Sequence, residues 1–439
     1  MRLAPVLGVA GALLGCGDVG EPIADGPSPA PRDACEGPTC AVPVEIAVSG
    51  PNASNHSCVR MSDGVVFCWG ANTAGQLGFA PVPLDTLPPG AVVLPPATRP
   101  AGLFVARSAQ TALIAFSCVL DDAGGAACWG SNVSGELGRG SADTMPHPQP
   151  RPVEKIPGMA IANVSAMALG GRHACLVGDG AVQCWGSDDV GCAVTGDADP
   201  SGTCRTLMGS VFARPVPVSG VGPASLVAAG AGTSCAVAAT GDRVQCWGNN
   251  RSRTIGDPQI GTTGNVPPTA VALAGVADIT QIVMGNAHAC VVADRRTHCW
   301  GQNNAGQLGE TPDANVASPV EVAALAGRTH LTAGGFNLCA YTPDDPDGAL
   351  TCLGANNEGQ LGIGTTDLAD HPTPTNVGDL VDIASASIGG NHGCAIARRR
   401  ADPPGAPRRV LCWGKNTAGQ VAQPASLRVL GPVEVALPR

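Results

Sequence analysis

One motif recurs seven times in this 439-residue chain and restricts its folding more than any other feature. Its clearest copy runs from Asn286 to Gly309. His288 is followed two residues later by Cys290, then an apolar run, a polar turn and a second cysteine, Cys299, with Trp-Gly-x-Asn and Gly-Gln-Leu-Gly behind it. The closing cysteines are Cys68, Cys128, Cys184, Cys246, Cys299, Cys352 and Cys412. All six tryptophans follow one of them directly, and Leu353 takes that place in the remaining copy. A glycine comes next every time, from Gly70 to Gly414. A chain that confines every tryptophan to one slot of one motif is a repeat protein, and the repeat dictates its architecture.

Successive closing cysteines lie 60, 56, 62, 53, 53 and 60 residues apart. Leucine-rich, ankyrin and tetratricopeptide units repeat at roughly 20–34 residues and are excluded. The period suits a four-stranded blade. In the sixth unit four short β-leaning pieces follow one another: Pro319–Val322, His330–Ala333, Leu338–Tyr341 and Leu350–Leu353, each bounded by Gly, Pro or Asp. No unit carries a sustained helical pattern. Seven such units predict an all-β chain, a seven-bladed β-propeller of four-stranded blades.

Most later units open on a Pro-Val-like strand, as at Pro152-Val153, Pro215-Val216 and Pro319-Val320, whereas the first starts midway at Glu45–Val48. The C-terminal Pro432–Leu437 has the missing pattern. The expectation is that this last strand completes the first blade and closes the ring, leaving no exposed edge.

Gly-Gly-x-His, an apolar strand and Trp-Gly-x-Asn-x-x-Gly-Gln-Leu-Gly together resemble the repeat of the regulator of chromosome condensation family. The best matches are Gly285–Gly309, Gly389–Gln420 and Asn55–Gly78. The resemblance covers roughly Val42 to the C-terminus and implies a propeller. It says little about function, which resides in sites grafted onto folds. Phe116, Thr233 and Asn337 replace the histidine in three units, and the Gly-Gln-Leu-Gly tail degenerates near Gly191, at Thr254–Gly256 and at Gly419–Ala422.

Residues 1–15 read as a lipoprotein signal peptide. One Arg precedes a short apolar run, too short for the ~20 residues that span a bilayer, and Leu13-Leu14-Gly15-Cys16 resembles the bacterial lipobox. That resemblance implies an acylated Cys16, and Gly17 in place of Asp favours the outer membrane. An ordinary cleaved signal is the alternative. Residues 16–42 are rich in Pro, Gly and Asp and are expected to be a tether; the propeller is placed at 43–439.

The chain has 19 cysteines. Setting Cys16 aside leaves an even number, which divides into seven pairs within the repeats: Cys58 with Cys68, Cys118 with Cys128, Cys175 with Cys184, Cys235 with Cys246, Cys290 with Cys299, Cys339 with Cys352, and Cys394 with Cys412. Cys35 with Cys40 and Cys192 with Cys204 complete the set. In the third unit the pair flanks Asp179-Gly180, a dipeptide suited to a type I′ turn that places the two sulfurs opposite each other. Opposed Cα atoms at ~4.5–5.5 Å fall within disulfide range. Zinc would need the histidine as well, yet three units lack it while both cysteines persist. No metal and no cofactor is expected. Disulfides require an oxidising compartment, which agrees with export to the cell envelope or secretion.

The repeated Trp reads as blade-to-blade core, and the repeated His as a hydrogen-bonded structural residue. Three irregular segments remain for function: Phe79–Ala101, Ser187–Arg214 and Arg398–Arg409. The last offers Arg398, Arg399, Arg400, Arg408 and Arg409 as candidate partner-binding residues; its alternative is a solvated hairpin extension. Asp197–Gly202 lacks the closing Glu of a calcium loop, and Asp344–Gly348 reads as a turn. Catalytic signatures are absent, so an enzyme is not expected. Net charge is −10 with only 14% charged residues, which disfavours nucleic acid.

The sequence therefore predicts a non-catalytic, membrane-anchored extracytoplasmic scaffold, a monomer that binds an unidentified protein through rim loops. Similar bacterial propellers include a secreted inhibitor that captures an enzyme on its rim, so the resemblance implies protein binding. Carbohydrate or envelope-polymer binding is one alternative. Guanine nucleotide exchange on a small GTPase, implied by family analogy alone, is the other.

Overall fold

The computed structural model describes residues 41–50, 55–81, 87–106, 114–188, 211–273, 275–312, 315–424 and 426–438. Cys16, Cys35, Cys40, Cys192 and Cys204 lie outside them, as do the signal peptide, most of the tether and Asp197–Gly202.

The described residues form seven antiparallel four-stranded blades, each in simple meander order. The strands of blade three, from inside to outside, are Val164–Leu169, His173–Gly178, Ala181–Ser187 and Val211–Pro217. Blades six and seven share one continuous strand, Asp370–Ile388. Its first part edges blade six and its last part opens blade seven.

Burial follows the strand's place in the blade. The second strand of blade three is buried throughout, because both of its faces meet neighbouring blades. Outer strands are half-exposed and proline-rich, as in Asp143–Pro152 and Asn265–Ala270. Proline is tolerated at a sheet edge and there blocks pairing with another chain. The core lies between blades rather than inside any one. Trp300 of blade five packs with Ile255 and Val237 of blade four, and Trp69 of blade one with Ile396 and Val421 of blade seven. All six tryptophans are at most 1% exposed.

Each repeat cysteine faces its partner across the second and third strands. All seven expected intra-repeat disulfides are present, with Cα separations of 4.0–4.1 Å. These approach the close spacing of a non-hydrogen-bonded antiparallel pair.

The expected exchange of the last strand does not occur. Arg428–Glu434 pairs with Arg409–Lys415 of its own blade, Cys412 opposite Val433. Blade one carries its own outer strand, Leu87–Ala91, paired with Val66–Gly70. The Pro-Val strand is the outer edge of the blade preceding it, so Pro319–Glu321 belongs to blade five and no strand is orphaned. Blades one and seven meet through side chains instead. Trp69 Nε1 and Ser57 Oγ both donate to Gln420 O at 2.9 Å, and Val48 N donates to Ser387 Oγ at 3.2 Å.

The glycine after each tryptophan slot, Gly70 to Gly414, has φ between 100° and 113°. A Cβ on Gly414 would lie 2.5 Å from Asn391 O and 2.7 Å from His392 Cα. Gly414→Ala is expected to cost roughly 2–4 kcal/mol from backbone strain plus overlap. Urea denaturation measures this, and an unchanged midpoint would contradict it.

Candidate functional site

The polar groups repeated in the loops turn inward. In six blades the Asn of Trp-Gly-x-Asn accepts the backbone N–H five residues on, as Asn72 does from Leu77 at 3.1 Å and Asn303 from Leu308 at 3.0 Å. In four blades the Gln Oε1 accepts the N–H two residues before it. The carbonyl at that Gln position then accepts the indole N–H of the next blade: Trp129 to Gln76, Trp185 to Glu136, Trp300 to Thr254 and Trp413 to Gln360, all at 2.8–2.9 Å. The tryptophan is a blade-to-blade clasp, as expected, and its indole face is not free to stack on a ligand.

The histidines join the same clasp. His56 Nε2 lies 2.8 Å from Ser117 Oγ, His173 Nε2 2.8 Å from Ser234 Oγ, and His392 Nε2 3.0 Å from Ser57 Oγ. Ser117 donates to Gln76 O and Ser57 to Gln420 O, so each hydroxyl accepts from the neutral imidazole N–H. Burial lowers His173 from 6.5 to about 4 and His392 to about 3. His173 and His392 are held neutral, and all three histidines are buried away from solvent and serve the structure.

Candidate sites therefore lie on the rims, and strand order sorts these into two. One rim carries the Trp-Gly-x-Asn loops and the start of each outer strand; the other carries the hairpin turns between second and third strands. Phe79–Ala101 and Ser187–Arg214 follow third strands and leave from the first rim; residues 82–86 and 189–210 of them are outside the described set. Arg398–Arg409 joins a second strand to a third and lies on the opposite rim. The three irregular segments do not form one surface.

Nor is the basic loop a free cationic patch. Arg398 Nε donates to Asp382 at 2.7 Å, and Arg408 bridges Asp382 at 2.7 Å and Asp344 at 2.6 Å. Arg399 pairs with Asp379 at 2.7 Å, and Arg409 with Asp402 at 2.5 Å and Glu434 at 3.1 Å. The two guanidiniums on Asp382 hold its carboxyl below the usual range. Of the five candidates only Arg400 has no ion pair among the described residues. The hairpin-extension alternative describes the other four.

The Trp-Gly-x-Asn rim instead exposes apolar side chains. Met145 is 67% exposed, Val211 42%, Leu368 92% and Leu427 72%. They stand at or within two residues of the outer-strand starts of blades two, three, six and seven, where Asn132 faces Asp143, Ser187 faces Val211, Ala355 faces Asp370 and Lys415 faces Arg428. Leu368 also borders a cavity of about 240 Å³ between the loops of blades five and six, with Phe336, Ala305 and Ala355 in its wall. The sequence reading missed these residues, although their spacing from the tryptophan slots was available to find them.

The innermost strands of all seven blades line a central cavity of about 320 Å³. Its wall residues are mostly Val, Ala, Leu and Ile, with Glu45, Gln281, Thr332, Tyr341, Ser385 and Ser387 among them. Polar groups gather at its second-rim end, where Glu45 pairs with Arg60 at 2.9 Å; burial raises the Glu45 carboxyl, and the guanidinium opposes that rise. Among the described residues no group of three or more His, Cys, Asp or Glu side chains is placed to hold a metal.

Two models of the Regulator of chromosome condensation (RCC1) repeat match the chain, one at residues 124–177 and 347–396, the other at 54–76. Ultraviolet-B receptor UVR8 of Arabidopsis thaliana is 26% identical over 393 residues, 87% of this chain and 79% of that protein. E3 ubiquitin-protein ligase HERC2 of Homo sapiens is 25% identical over 315 residues, which are 70% of this chain but only 6% of HERC2. Among solved structures, Prp20p from Saccharomyces cerevisiae superposes with a TM-score of 0.66 at 19% identity, over 85% of this chain and 86% of that one. Human WBSCR16 gives 0.66 at 17% identity, over 85% and 94%. The Prp20p structure is described together with its binding to Gsp1p and histones.

Proposed function

We propose that this chain, a propeller of regulator of chromosome condensation repeats, is a non-catalytic protein-binding scaffold of the cell envelope. It is held to the outer membrane through an acylated Cys16 and engages its partner with the Trp-Gly-x-Asn rim. The observation that carries this reading is the set of exposed apolar side chains on that rim, Leu368 and Leu427 above all. Their backbones are fixed by the loop clasps, so they meet a partner at little ordering cost, and the Phe336 cavity would accept an apolar side chain. Propellers of this type bind proteins, which supports the reading. The seven disulfides suggest an oxidising, extracytoplasmic compartment, where a cytosolic GTPase would not be met.

The test is capture from envelope extract on the immobilised, oxidised protein. A partner protein retained by wild type is expected to be lost with the Leu368→Glu, Leu427→Glu double variant, its affinity falling about 30-fold for the ~2 kcal/mol of a hot spot. Retention by both would refute the rim assignment, and capture of a glycan instead would replace protein binding with carbohydrate binding. Anchoring is read separately: labelled fatty acid is expected to enter wild type and not Cys16→Ala, and labelling of neither would leave no anchor.

A further inference from the structure

The flank of blade two bears a structure that the repeat does not require. Glu154–Ile156 and Met159–Ala160 pair as a small added hairpin. Beside the outer strand Asp143–Pro152 it helps enclose a cavity of about 380 Å³, whose polar lining is Asn132, Arg139, Ser141, His147, Arg151 and Glu154. This flank adjoins the Trp-Gly-x-Asn rim at Asn132 and Ser141 and is separate from the central cavity.

The charges in this cavity do not balance. Glu154 pairs with Arg214, whose Nη2 donates to it at 3.0 Å, and Asp143 is hydrogen-bonded to His147 at 2.8 Å. The guanidiniums of Arg139, Arg151 and Arg214 thus stand against the two carboxylates of Asp143 and Glu154, an excess of one positive charge. Arg139 donates from Nη2 to the carbonyls of Cys128 and Gln149, while its buried Nε has no hydrogen-bond partner. Arg151 has no ion pair or side-chain hydrogen bond among the described residues. Burial and the nearby charge of Arg151 bring Arg139 down to about 10 against the opposing pull of Asp143 and Glu154, so it stays cationic at neutral pH. Four arginines of the second rim are each matched to a carboxylate, and the chain as a whole is acidic. The unpartnered Nε–H of Arg139 and the unpaired guanidinium of neighbouring Arg151, both on the wall of one cavity, form a donor set that binds an oxyanion.

We propose that this cavity binds a small polar ligand whose phosphate or carboxylate sits between Arg139 and Arg151. The volume is within the ~300–1,000 Å³ of small-molecule sites and exceeds what a lone phosphate fills. Ser141, His147 and the hairpin residues Gly158 and Ala160 line the remainder, which suits a hydroxylated body such as a monosaccharide. The ligand class is a phosphorylated or carboxylated sugar.

Isothermal titration of the full oxidised protein with glucose 6-phosphate, glucuronate, inorganic phosphate and glucose tests this. Binding of glucose 6-phosphate or glucuronate, no binding of glucose, and at least a tenfold loss in Arg151→Gln are expected. Arg151 is exposed, so its replacement should leave the fold intact, and an unchanged thermal midpoint of the unliganded variant verifies that. Leu368→Glu serves as the second variant and should bind the sugar anion as wild type does, whatever becomes of partner capture. Inorganic phosphate binding as tightly as the sugar phosphate would overturn the sugar and leave a free-anion site. Failure of every anion to bind, or undiminished binding by Arg151→Gln, would overturn the site itself.

Discussion

Reducing the seven repeat disulfides is expected to unfold this protein at 37 °C under conditions in which the oxidised form is fully native. The bridges close loops with sequence separations of 9 to 18. Loop-closure entropy assigns each roughly 2.5–3 kcal/mol as an upper value. Taken together they rival or exceed the ~5–15 kcal/mol that separates folded from unfolded states in an ordinary protein. Little else substitutes for them, since aromatics are 3% of residues and blade cores rest on Val, Ala and Leu. A graded series sharpens the test: Cys175→Ala with Cys184→Ala removes one bridge and should lower stability by ~2–3 kcal/mol. Urea denaturation with and without reductant provides both readings. A reduced protein with the oxidised midpoint would show that blade packing alone holds the fold.

Acid is expected to produce the second large effect. His173 and His392 take protons in the unfolded chain near pH 6.5, but in the folded state only near 4 and 3. Between those limits the unfolded state binds more protons, so stability is complete above pH 6.5 and declines as pH falls toward 3–4. The loss is roughly 3 kcal/mol for His173 and somewhat more for His392, in order of magnitude. His392 Nδ1 has no hydrogen-bond partner, so its cation would be buried without a counter-charge. Urea midpoints from pH 7 to 4 should therefore drop steeply in wild type. The drop should flatten in a His173→Asn, His392→Asn double variant, for which Asn337 at the equivalent position of blade six is a native precedent. An equally steep decline in that variant would assign acid sensitivity to the carboxylates instead.

Much of the fold was readable because each unit repeats the same local solution. Cysteines facing each other across a hairpin can be bridged, and a tryptophan fixed at one register must fill the same interblade gap six times over. Where Leu353 replaces it, the gap keeps an apolar plug and loses only the indole hydrogen bond. The blade's frame was not readable. A periodic sequence looks alike wherever counting begins, and assigning the Pro-Val strand to the following unit created an orphan that the pairing of Cys412 with Val433 removes.

The functional surface was less legible for a related reason. Arg398, Arg399, Arg408 and Arg409 read as a cationic run because several of their carboxylates lie elsewhere in the chain. Asp344 is 64 residues from Arg408, and Asp379 is 20 from Arg399. Leu368 and Leu427 drew no notice, since single apolar residues near turns are commonplace until they share a rim. Arg139 and Arg151 were two scattered basic residues until the outer strand and hairpin of blade two enclosed them.

The sequence by itself determined the seven-fold count, the all-β class, the seven bridges and the buried place of every tryptophan, because each follows from short-range spacing and turn chemistry. The tertiary structure alone decided how the first and last blades meet, which apolar side chains gather at the outer-strand starts, which arginines are internally neutralised, and where Arg139 and Arg151 become neighbours on one cavity wall. Those outcomes depend on which distant strands and loops become neighbours, and in a ring of similar units that choice is made by packing between blades rather than by any one repeat.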